Sequence, residues 1–334
     1  MIGFSVVIPV YNIKEYISVC LDSIIIQHYE KLQIILIDDG STDGSSMICD
    51  DYANRDKRIT VIHKKNGGVV SARLEGIRQA TMDYIVCIDG DDWIEQDYFS
   101  SLSNCISQSM PEIICCGYKK NGETNSANPM PYPSKVYNRD EMEKIILPSI
   151  ICDVEGKIFP QHLWAKAFRN TSKNTELFNI DERIYMGEDS AIIIPMIIQA
   201  NSLAVIDDTK YCYRYNPNSL TKKNKPLSWD NIRIWYRSIA SKVDLSQFDF
   251  RSQVNRYGAL SVFYIATSQF DGEKNYLTIC EVISKELEEE IVSEFIKSAT
   301  FNRRSKQWPK IVIIRHKLFF LLKMFYLISY KNRK

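Results

Sequence analysis

The segment ILIDDGSTDGS, at residues 35–45, gives the strongest indication of the fold. Its first half is an apolar, β-branched run that predicts a buried strand. Two aspartates and a glycine end this run, and the polar residues 41–43 then offer N-cap side chains for a helix near residues 44–54. A buried strand, an acidic turn and a capped helix in succession are typical of sheets with parallel strands.

The same alternation of strand and helix covers about the first hundred residues. Apolar strand-like runs occur at residues 4–10, 33–37, 59–63 and 84–88. Apolar residues at helical spacing lie between them, at residues 14–27 and 70–80. Strands that are mostly apolar and separated by helices predict a parallel sheet covered by helices on both faces.

The rest of the chain shows a less regular pattern. Its predicted elements are a strand at 112–118, a polar loop at 119–135, an interrupted helix at 138–151, an apolar helix at 187–200 and a strand at 203–215. From residue 229 onward the pattern predicts helices at 229–243, 250–270 and 276–299. The sequence thus predicts an α/β region followed by a helical region.

The composition of the 334-residue chain is that of a globular protein, with 45% hydrophobic and 25% charged residues. A formal net charge of +1 argues against a dedicated nucleic-acid binder. The nine cysteines form no CxxC pair, which argues against a disulfide framework or zinc site and favours a reducing cytoplasm. The N-terminus lacks a basic region and Pro9 interrupts the first apolar run, so we expect no export signal.

Polar clusters follow three of the predicted strands at the point where each strand ends. Tyr11 and Asn12 follow the first strand, Asp38 and Asp39 end the second, and residues 89–92 (DGDD) follow the fourth. These ends lie at one edge of a parallel sheet, where ligands bind, so we expect the clusters to converge. Each cluster also has a simpler interpretation as a turn or a helix cap.

Three carboxylates crowd into residues 89–92, beside the apolar Ile88 and Trp93. A hard divalent cation with oxygen ligands would relieve their repulsion. An EF-hand calcium loop is excluded, because it needs Gly and Glu where this chain has Ile94 and Ser100. P-loop, dinucleotide Rossmann, zinc-protease and nucleophile-elbow motifs are absent as well. These residues therefore favour group transfer from a nucleotide diphosphate, assisted by Mg²⁺ or Mn²⁺.

Taken together, these segments of the chain resemble those of the family-2 glycosyltransferases of the GT-A fold. The resemblance covers the order and spacing of the segments as well as their residue identities. The matching segments are VVIPVYN at 6–12, Glu15, SI-x-x-Q at 23–27, ILIDDGSTDGS at 35–45, NGG-x-x-SAR at 66–73 and YIVCIDGDDWI at 84–94. Looser matches follow with W-x-K at 164–166, GED at 187–189 and YRYNPNS at 213–219.

The resemblance implies a Rossmann-like, mostly parallel mixed sheet flanked by helices. It also implies inverting transfer of a sugar from a nucleotide-diphosphate sugar, a UDP-sugar foremost, to a hydroxyl of a glycan acceptor. The Q-x-x-R-W signature of processive members is absent, so we expect one sugar per encounter. We expect a GT-A domain at 1–222 (nucleotide-binding half 1–110, acceptor half 111–222), a helical extension at 223–300 and a basic apolar tail at 301–334.

The resemblance also implies a role for each matching position. Asp39 would bind the uracil N3–H. Asp89 and Asp91 would form the D-x-D pair, with Asp91 the more direct ligand of Mn²⁺ or Mg²⁺. Asp189 would be the general base, with Glu188 beside it. The nucleotide would further contact Pro9, Tyr11, Arg73, Asp89 and Gly90, and the sugar sites would lie near Trp164, Lys166, Asp92 and Arg214.

The local sequence leaves other roles open for several of these residues. Asp189 opens an apolar helix and could serve its N-terminus, a dipole interaction worth about 0.3–1 kcal/mol. Trp164 could be a core residue, and Arg214 a surface residue of a strand. The chain also departs from the usual family pattern, with Leu74 where Asn is frequent and Met82 where Gly is frequent.

The charge is unevenly distributed along the chain. Residues 301–334 hold ten Lys or Arg and no acidic residue, whereas the other 300 hold 32 basic and 41 acidic residues, a net of −9. The apolar segment 311–328 contains the basic residues Arg315, His316, Lys317 and Lys323, which make it a poor membrane-spanning helix. We expect a helix on the anionic inner face of the plasma membrane, suited to a lipid-linked acceptor. The alternative is a final helix docked on the catalytic domain.

Two other functions stay open at this point. A sugar-nucleotide nucleotidyltransferase would need basic, glycine-rich phosphate contacts after the first strand, and VYNIKE (residues 10–15) does not supply them. A non-catalytic module that binds nucleotide sugars or membranes would not need all four aspartates at positions 39, 89, 91 and 189.

Overall fold

The computed structural model describes residues 1–121, 126–215, 227–271 and 274–331, and it divides into two compact units. The first comprises Met1–Met142 and Pro160–Pro217, and the second Glu143–Phe159 and Asn218–Lys334. The segment 143–159 thus groups with the second unit, whereas the sequence placed it in the acceptor half. The predicted border between residues 222 and 223 lies outside the described residues, as do positions 216–219 of the YRYNPNS match and residues 332–334 of the tail.

The first unit is built on one mixed sheet, to which ten strands contribute among the described residues. These strands are β1 (Phe4–Val10), β2 (Leu32–Asp38), β3 (Ile59–His63), β4 (Tyr84–Cys87), β5 (Trp93–Ile94), β6 (Ile113–Asn121), β7 (Ser126–Asn128), β8 (Lys135–Asn138), β9 (Lys166–Arg169) and β10 (Ser202–Arg214). Their order is β3-β2-β1-β4-β9-β6-β10-β5, with β7 paired to β6 and β8 to β10.

The four N-terminal strands confirm the predicted parallel sheet. In the register, Val10 of β1 lies opposite Asp38 of β2, which lies opposite His63 of β3. Strand β4 pairs with the other side of β1, also in parallel. The carboxyl ends of these strands therefore meet at one edge, as the sequence predicted.

Helices flank this sheet, and one of them packs closely against β1 through a glycine. The helices of the first unit are α1 (Ile17–Ile25), α2 (Ser45–Arg55), α3 (Gly68–Arg78), α4 (Tyr98–Ser109), α5 (Arg139–Glu141), α6 (Ser172–Leu177) and α7 (Glu188–Gln199). A Cβ atom on Gly76 of α3 would lie 2.4 Å from Cγ1 of Val7 in β1. Any larger residue at position 76 would push α3 off the sheet.

Antiparallel pairing makes the remainder of the sheet mixed. Strand β9 lies between β4 and β6 and is antiparallel to both, while β6 and β10 are parallel. The predicted polar loop at 119–135 is wrong in part, because β6 continues to Asn121 and pairs with β7. Polar residues are tolerated in β7 and at residues 119–120 of β6 because their side chains are half-buried or exposed and meet water. Residues 122–125 lie outside the described part.

The second unit is helical, as predicted. Its helices are α8 (Trp229–Ala240), α9 (Phe250–Ser268), α10 (Tyr276–Glu286), α11 (Glu290–Ser298), α12 (Trp308–Arg315) and α13 (Phe319–Lys331). The predicted interrupted helix at 138–151 corresponds to α5, which continues without a gap into helical turns at Met142–Ile146 and Leu147–Ser149, the second of which contains Pro148. The predicted single helix at 276–299 is wrong, because the acidic run breaks it after Glu286. Glutamates 289 and 290 then begin α11, where the helix dipole favours negative charge.

The C-terminal segment forms two helices instead of the expected one. Lys317, with φ +50°, separates α12 from α13. Ile311, Ile314 and Leu322 are buried, and the Phe325 ring packs edge-on against Phe263 of α9. Among the helices of the described residues, none combines the length and apolarity needed to cross a membrane.

Candidate active site

Asp39 is anchored at the end of β2 by the NGG segment. Its carboxylate is 2% exposed and accepts hydrogen bonds from Lys64 Nζ (2.7 Å), Gly67 N–H (2.9 Å) and Gly68 N–H (2.7 Å). Asn66 Nδ2 binds the Asp39 carbonyl (3.0 Å), and Gly68 has φ +89°, which side chains rarely adopt. A carboxylate has about four acceptor positions, so one stays available for a ligand donor.

Asp38, by contrast, has the structural role that the sequence left open for both aspartates. It accepts from the Ser41 N–H (3.0 Å) and Ser46 Oγ (2.7 Å) and contacts His63 Nδ1 (2.9 Å). Burial raises the pKa of Asp38, but these hydrogen bonds outweigh it and hold the pKa below its usual value. Asp38 thus shapes the turn before α2.

Pro9, Tyr11 and Gly90 lie at the same edge as Asp39. A Cβ atom on Gly90 would lie 3.0 Å from the Pro9 carbonyl oxygen and 2.5 Å from Cδ1 of Ile13. The chain after β4 therefore approaches β1 at a distance that only glycine permits. The ring of Tyr11, just beyond β1, is 51% exposed. A planar ligand at this edge would have an aromatic side chain to pack against.

Arg73 of α3 joins the first aspartate of the D-x-D pair to the predicted base. Nη2 donates to Asp89 Oδ1 (2.8 Å), and Nη1 donates to Asp189 Oδ1 (2.8 Å) and lies 3.6 Å from Glu188 Oε1. The Arg73 side chain is 6% exposed, and its Nε has no hydrogen-bond partner among the described residues. Burial opposes the charge, but the three carboxylates hold the pKa of Arg73 above its usual range. Arg73 and Asp189 thus meet although they are 116 positions apart in sequence.

Asp189 and Glu188 begin α7 but do not act as its caps. The N-cap residue is Gly187, with φ +78°, and the second oxygen of Asp189 accepts the Leu163 N–H (3.1 Å). Burial raises the pKa of Asp189, and burial together with the Asp189 charge raises the pKa of Glu188 to about 7. A pair of carboxylates with raised pKa values is suited to accept a proton.

Asp92 braces β5 against β10 and does not face a sugar site as an open acceptor. It is 1% exposed and accepts from the Tyr211 hydroxyl (2.6 Å) and the Arg214 N–H (2.8 Å). Burial, and then the charge of Asp89, raise the pKa of Asp92 to about 8. The Arg214 guanidinium lies 4.4 Å from the Trp93 ring centroid, and its Nε donates to the Asp91 carbonyl (2.7 Å). Arg214 is therefore held next to the D-x-D pair.

The carboxylates of residues 89–92 offer oxygen ligands of the type that Mg²⁺ and Mn²⁺ take. No group of three or more metal-ligating side chains forms a ready cage in the described part of the chain. Asp89 pairs with Arg73 and Asp92 with Tyr211, while Asp91 is half-buried between them. Carboxylate oxygens suit Mg²⁺ and Mn²⁺, and such ions keep several positions for phosphate and water. The donor set therefore fits one such ion, held by Asp91 with Asp89 nearby.

An aromatic stack adjoins the site. The His162 ring lies 3.7 Å from the Trp164 ring and nearly parallel to it, and Trp164 stacks in turn on Tyr211 (4.9 Å) and Tyr213 (5.3 Å). Lys166, two residues on, is wholly buried and donates to the His162 carbonyl (2.7 Å). Trp164 is thus part of a packed cluster, and Lys166 is an interior residue.

Comparisons with known proteins agree with this geometry. A sequence model described as Glycosyl transferase family 2 matches residues 5–162. The uncharacterized glycosyltransferase EpsJ of Bacillus subtilis (strain 168) is 32% identical over 237 residues, which are 70% of this chain and 67% of that protein.

The chain belongs to glycosyl transferase family 2. As a glycosyltransferase it is also 31% identical, over 63% of its length, to the minor teichoic acid biosynthesis protein GgaB of B. subtilis, covering 23% of that protein. The crystal structure of Staphylococcus aureus TarS 1–349 in complex with UDP matches with a TM-score of 0.67 and 17% identity, over 99% of this chain and 92% of that chain. This likeness confirms the GT-A fold.

Several residues at this glycosyltransferase's site escaped the sequence reasoning. The Lys64 ammonium donates to Asp39, and the Leu163 N–H donates to Asp189. The Tyr211 hydroxyl donates to Asp92. The sequence shows the NGG motif as a match to the family. It does not show that the N–H groups of Gly67 and Gly68 bind Asp39. Leu163 acts through its backbone, which leaves no signal in the side-chain sequence.

Proposed function

We propose that this glycosyltransferase moves one sugar from a UDP-sugar to a hydroxyl of a glycan acceptor, with inversion at the anomeric carbon. The observation that carries the proposal is the bridge from Asp89 through Arg73 to Asp189. The Arg73 guanidinium holds two carboxylates in fixed positions. Asp89 is suited to a cation, and Asp189 is suited to proton transfer. Asp39 lies at the same edge of the sheet, as a uridine site requires.

The nucleotide would occupy the edge formed by the ends of β1, β2 and β4. Asp39 would accept the uracil N3–H, with Tyr11 against the base and Pro9, Gly90 and Asp89 beside the ribose and diphosphate. TarS has been solved with UDP and with UDP-GlcNAc in the same fold, which supports a uridine nucleotide here. The sugar itself is left open by these contacts.

Proton transfer falls to Asp189, with Glu188 next to it. The acceptor oxygen forms a bond to C1 of the sugar from the face opposite the leaving group, and the bond from C1 to the diphosphate oxygen breaks. The acceptor proton passes to the Asp189 carboxylate, and the electron pair leaves with UDP. A direct displacement of this kind inverts the anomeric centre. Mn²⁺ or Mg²⁺ bound at Asp91 would neutralise charge on the departing diphosphate.

Polysaccharide biosynthesis is the proposed context. GgaB is named for minor teichoic acid synthesis, and TarS is named as a poly(ribitol-phosphate) β-N-acetylglucosaminyltransferase. A related acceptor for this chain, a glycan or lipid-linked oligosaccharide at the membrane, is consistent with the basic C-terminal segment. No observation favours the nucleotidyltransferase or the non-catalytic alternative.

A thermal-shift titration tests the nucleotide and cation sites together. Saturating UDP is expected to raise Tm by about 3 °C or more, since a ligand that binds only the folded state stabilises it. Addition of Mn²⁺ is expected to increase the shift. Asp39→Asn should remove most of the UDP shift, and Asp91→Asn should remove the Mn²⁺ increment while a UDP shift persists.

The control is Asp51→Asn, which removes an exposed carboxylate of α2. Each shift is measured from the variant's own Tm, because Asp39→Asn also disturbs three hydrogen bonds of the fold. Equal UDP shifts in wild type and Asp39→Asn would contradict the proposed uridine site. A Mn²⁺ increment that survives in Asp91→Asn would move the cation elsewhere.

For membrane association, we propose that the outer face of α13 binds the anionic inner surface of the plasma membrane. Phe320, Met324 and Ile328 follow one another at helical spacing and are each at least 40% exposed. Lys317 and Lys323 flank them, and both are exposed. Exposed apolar residues beside cations are typical of helices that lie at a lipid surface.

The triple variant Phe320→Ser, Met324→Ser, Ile328→Ser is expected to bind anionic vesicles at least about tenfold more weakly than wild type, because three apolar side chains no longer insert. Co-sedimentation with phosphatidylglycerol vesicles measures the affinity. Leu277→Ser is the matched control, since Leu277 of α10 is 71% exposed. Equal binding by wild type and the triple variant would exclude α13 as the contact. This design spares α12, whose removal would uncover buried residues of the helical unit.

A further inference from the structure

The turn that leads into β9 reaches the proposed base through one peptide group. The Leu163 N–H donates to Asp189 Oδ2 (3.1 Å). The carbonyl oxygen of that same peptide group belongs to His162 and accepts from Lys166 Nζ (2.7 Å). A single peptide group therefore lies between a buried ammonium and a buried carboxylate.

Lys166 has no evident packing reason to be a lysine. It is the first residue of β9, between β4 and β6, and its side chain is 0% exposed. Its Nζ donates to the His162 carbonyl and lies 3.1 Å from Nδ1 of the same residue. Burial lowers the pKa of Lys166 to about 8, which reflects the unfavourable environment for its charge. Burying an ammonium group costs free energy that burying an apolar side chain does not.

The turn itself is in a conformation that needs support. Ala165 has φ +54°, in the left-handed region that residues with a Cβ avoid. The Cys116 N–H binds the Ala165 carbonyl (2.9 Å), and the stacked His162 ring donates from Nδ1 to the Trp164 carbonyl (2.8 Å). These bonds hold the two ends of the turn, and Lys166 holds the peptide group between His162 and Leu163.

We propose that Lys166 is a positioning residue for Asp189, acting through the peptide group of His162 and Leu163. A trans peptide is planar, so fixing its carbonyl oxygen also fixes the direction of its N–H. A cation on the carbonyl polarises the group as well, which strengthens the hydrogen bond at its other end. The inference rests on the proposed function only in taking Asp189 as the base. Other charged groups facing Asp189 are Arg73, Asp89 and Glu188.

The test is Lys166→Met, which keeps most of the length of the side chain and removes the donor and its charge. We expect Tm to be unchanged or higher, the pKa of the Asp189 carboxyl to rise, and kcat to fall about tenfold with KM for the donor within about twofold. The acid limb of the kcat–pH profile should move to higher pH, since the carboxylate loses a fixed donor. Lys57→Met, at an exposed turn before β3, is the charge-matched control and should change none of these.

The pKa is read by carbon NMR of carboxyl-labelled aspartate, in which the Asp189 signal is the one missing from Asp189→Asn. An unchanged Asp189 pKa in folded Lys166→Met overturns the inference, whatever the substrates are. An unchanged kcat–pH profile does the same in an assay where wild type is active. If wild type released no UDP from any UDP-sugar, the proposed function would fail, but the pKa test would still decide this inference. Should the methionine variant not fold, Lys166→Gln, which is shorter and uncharged, is expected to raise the same pKa.

Discussion

Asp189→Asn is expected to lower kcat by a factor of about 10²–10⁴ while UDP binding persists, the effect of removing a general base. Asparagine matches aspartate in size but has no basic oxygen to accept the acceptor proton. Its amide can also satisfy only one of the two donors that Asp189 accepts, from Arg73 and Leu163. Because burial raises the pKa of Asp189, wild-type kcat should rise with pH through a range above that of an ordinary aspartate.

The measurement is UDP release from a panel of UDP-sugars with Mn²⁺, where slow hydrolysis reports the same chemistry when no acceptor is known. UDP binding by thermal shift separates lost catalysis from lost binding. Glu188→Gln is the matched control, since Glu188 lies farther from Arg73 (3.6 Å) than Asp189 does (2.8 Å), and it should retain more activity. Near-normal turnover in Asp189→Asn would remove Asp189 from the mechanism.

Arg73→Met is expected to destabilise the fold by about 3–5 kcal/mol, because it leaves buried carboxylates without their cation. The loss should depend on pH. Arg73 lowers the pKa values of Glu188 and Asp189, which burial already raises, so without Arg73 both rise further above their unfolded values. The penalty is therefore full above those raised pKa values and shrinks as pH falls and the carboxyls become protonated. UDP release should be lost along with stability, because the bridge no longer exists.

Urea denaturation at pH 8 and at pH 5 measures this free energy of unfolding. In the double variant Arg73→Met, Asp189→Asn, the second change removes one of the unpaired charges, so part of the stability should return. Arg55→Met, which removes an exposed arginine of α2, controls for loss of an arginine and should cost little. A pH-independent loss in Arg73→Met would show that packing, not charge, is the role of Arg73.

Sequence reasoning placed the carboxyl-end cluster correctly because it depends on local signals. Apolar runs that end in acidic turns specify both the strand and the point where it stops, and parallel pairing then brings the ends together. The same reasoning failed at residues 119–135 and 276–299. A polar composition does not distinguish a loop from a strand at the periphery of the sheet. Helical periodicity continues through residues 276–299, so it does not show the break at the acidic run in the middle of this segment.

Individual roles within a cluster were harder to predict than the cluster itself. Asp38 and Asp39 are neighbours of the same type, yet one shapes a turn and the other lies among the glycine N–H groups of a distant segment. Asp92 was expected near the sugar, and the structure adds that its carboxylate accepts from Tyr211 and Arg214 of β10. Which way each side chain points depends on the twist of the strand and on partners that are far away in sequence.

The sequence alone determined the class of fold, the edge of the sheet where chemistry is placed, and the aspartates that gather there, because strand, turn and capping preferences act over a few neighbouring residues. Only the tertiary structure decided that Arg73 would join Asp89 to Asp189, and that Lys166 would reach Asp189 through a backbone peptide group. Those contacts form between elements separated by tens of residues, and they use backbone atoms and burial, which the order of side chains does not encode by itself.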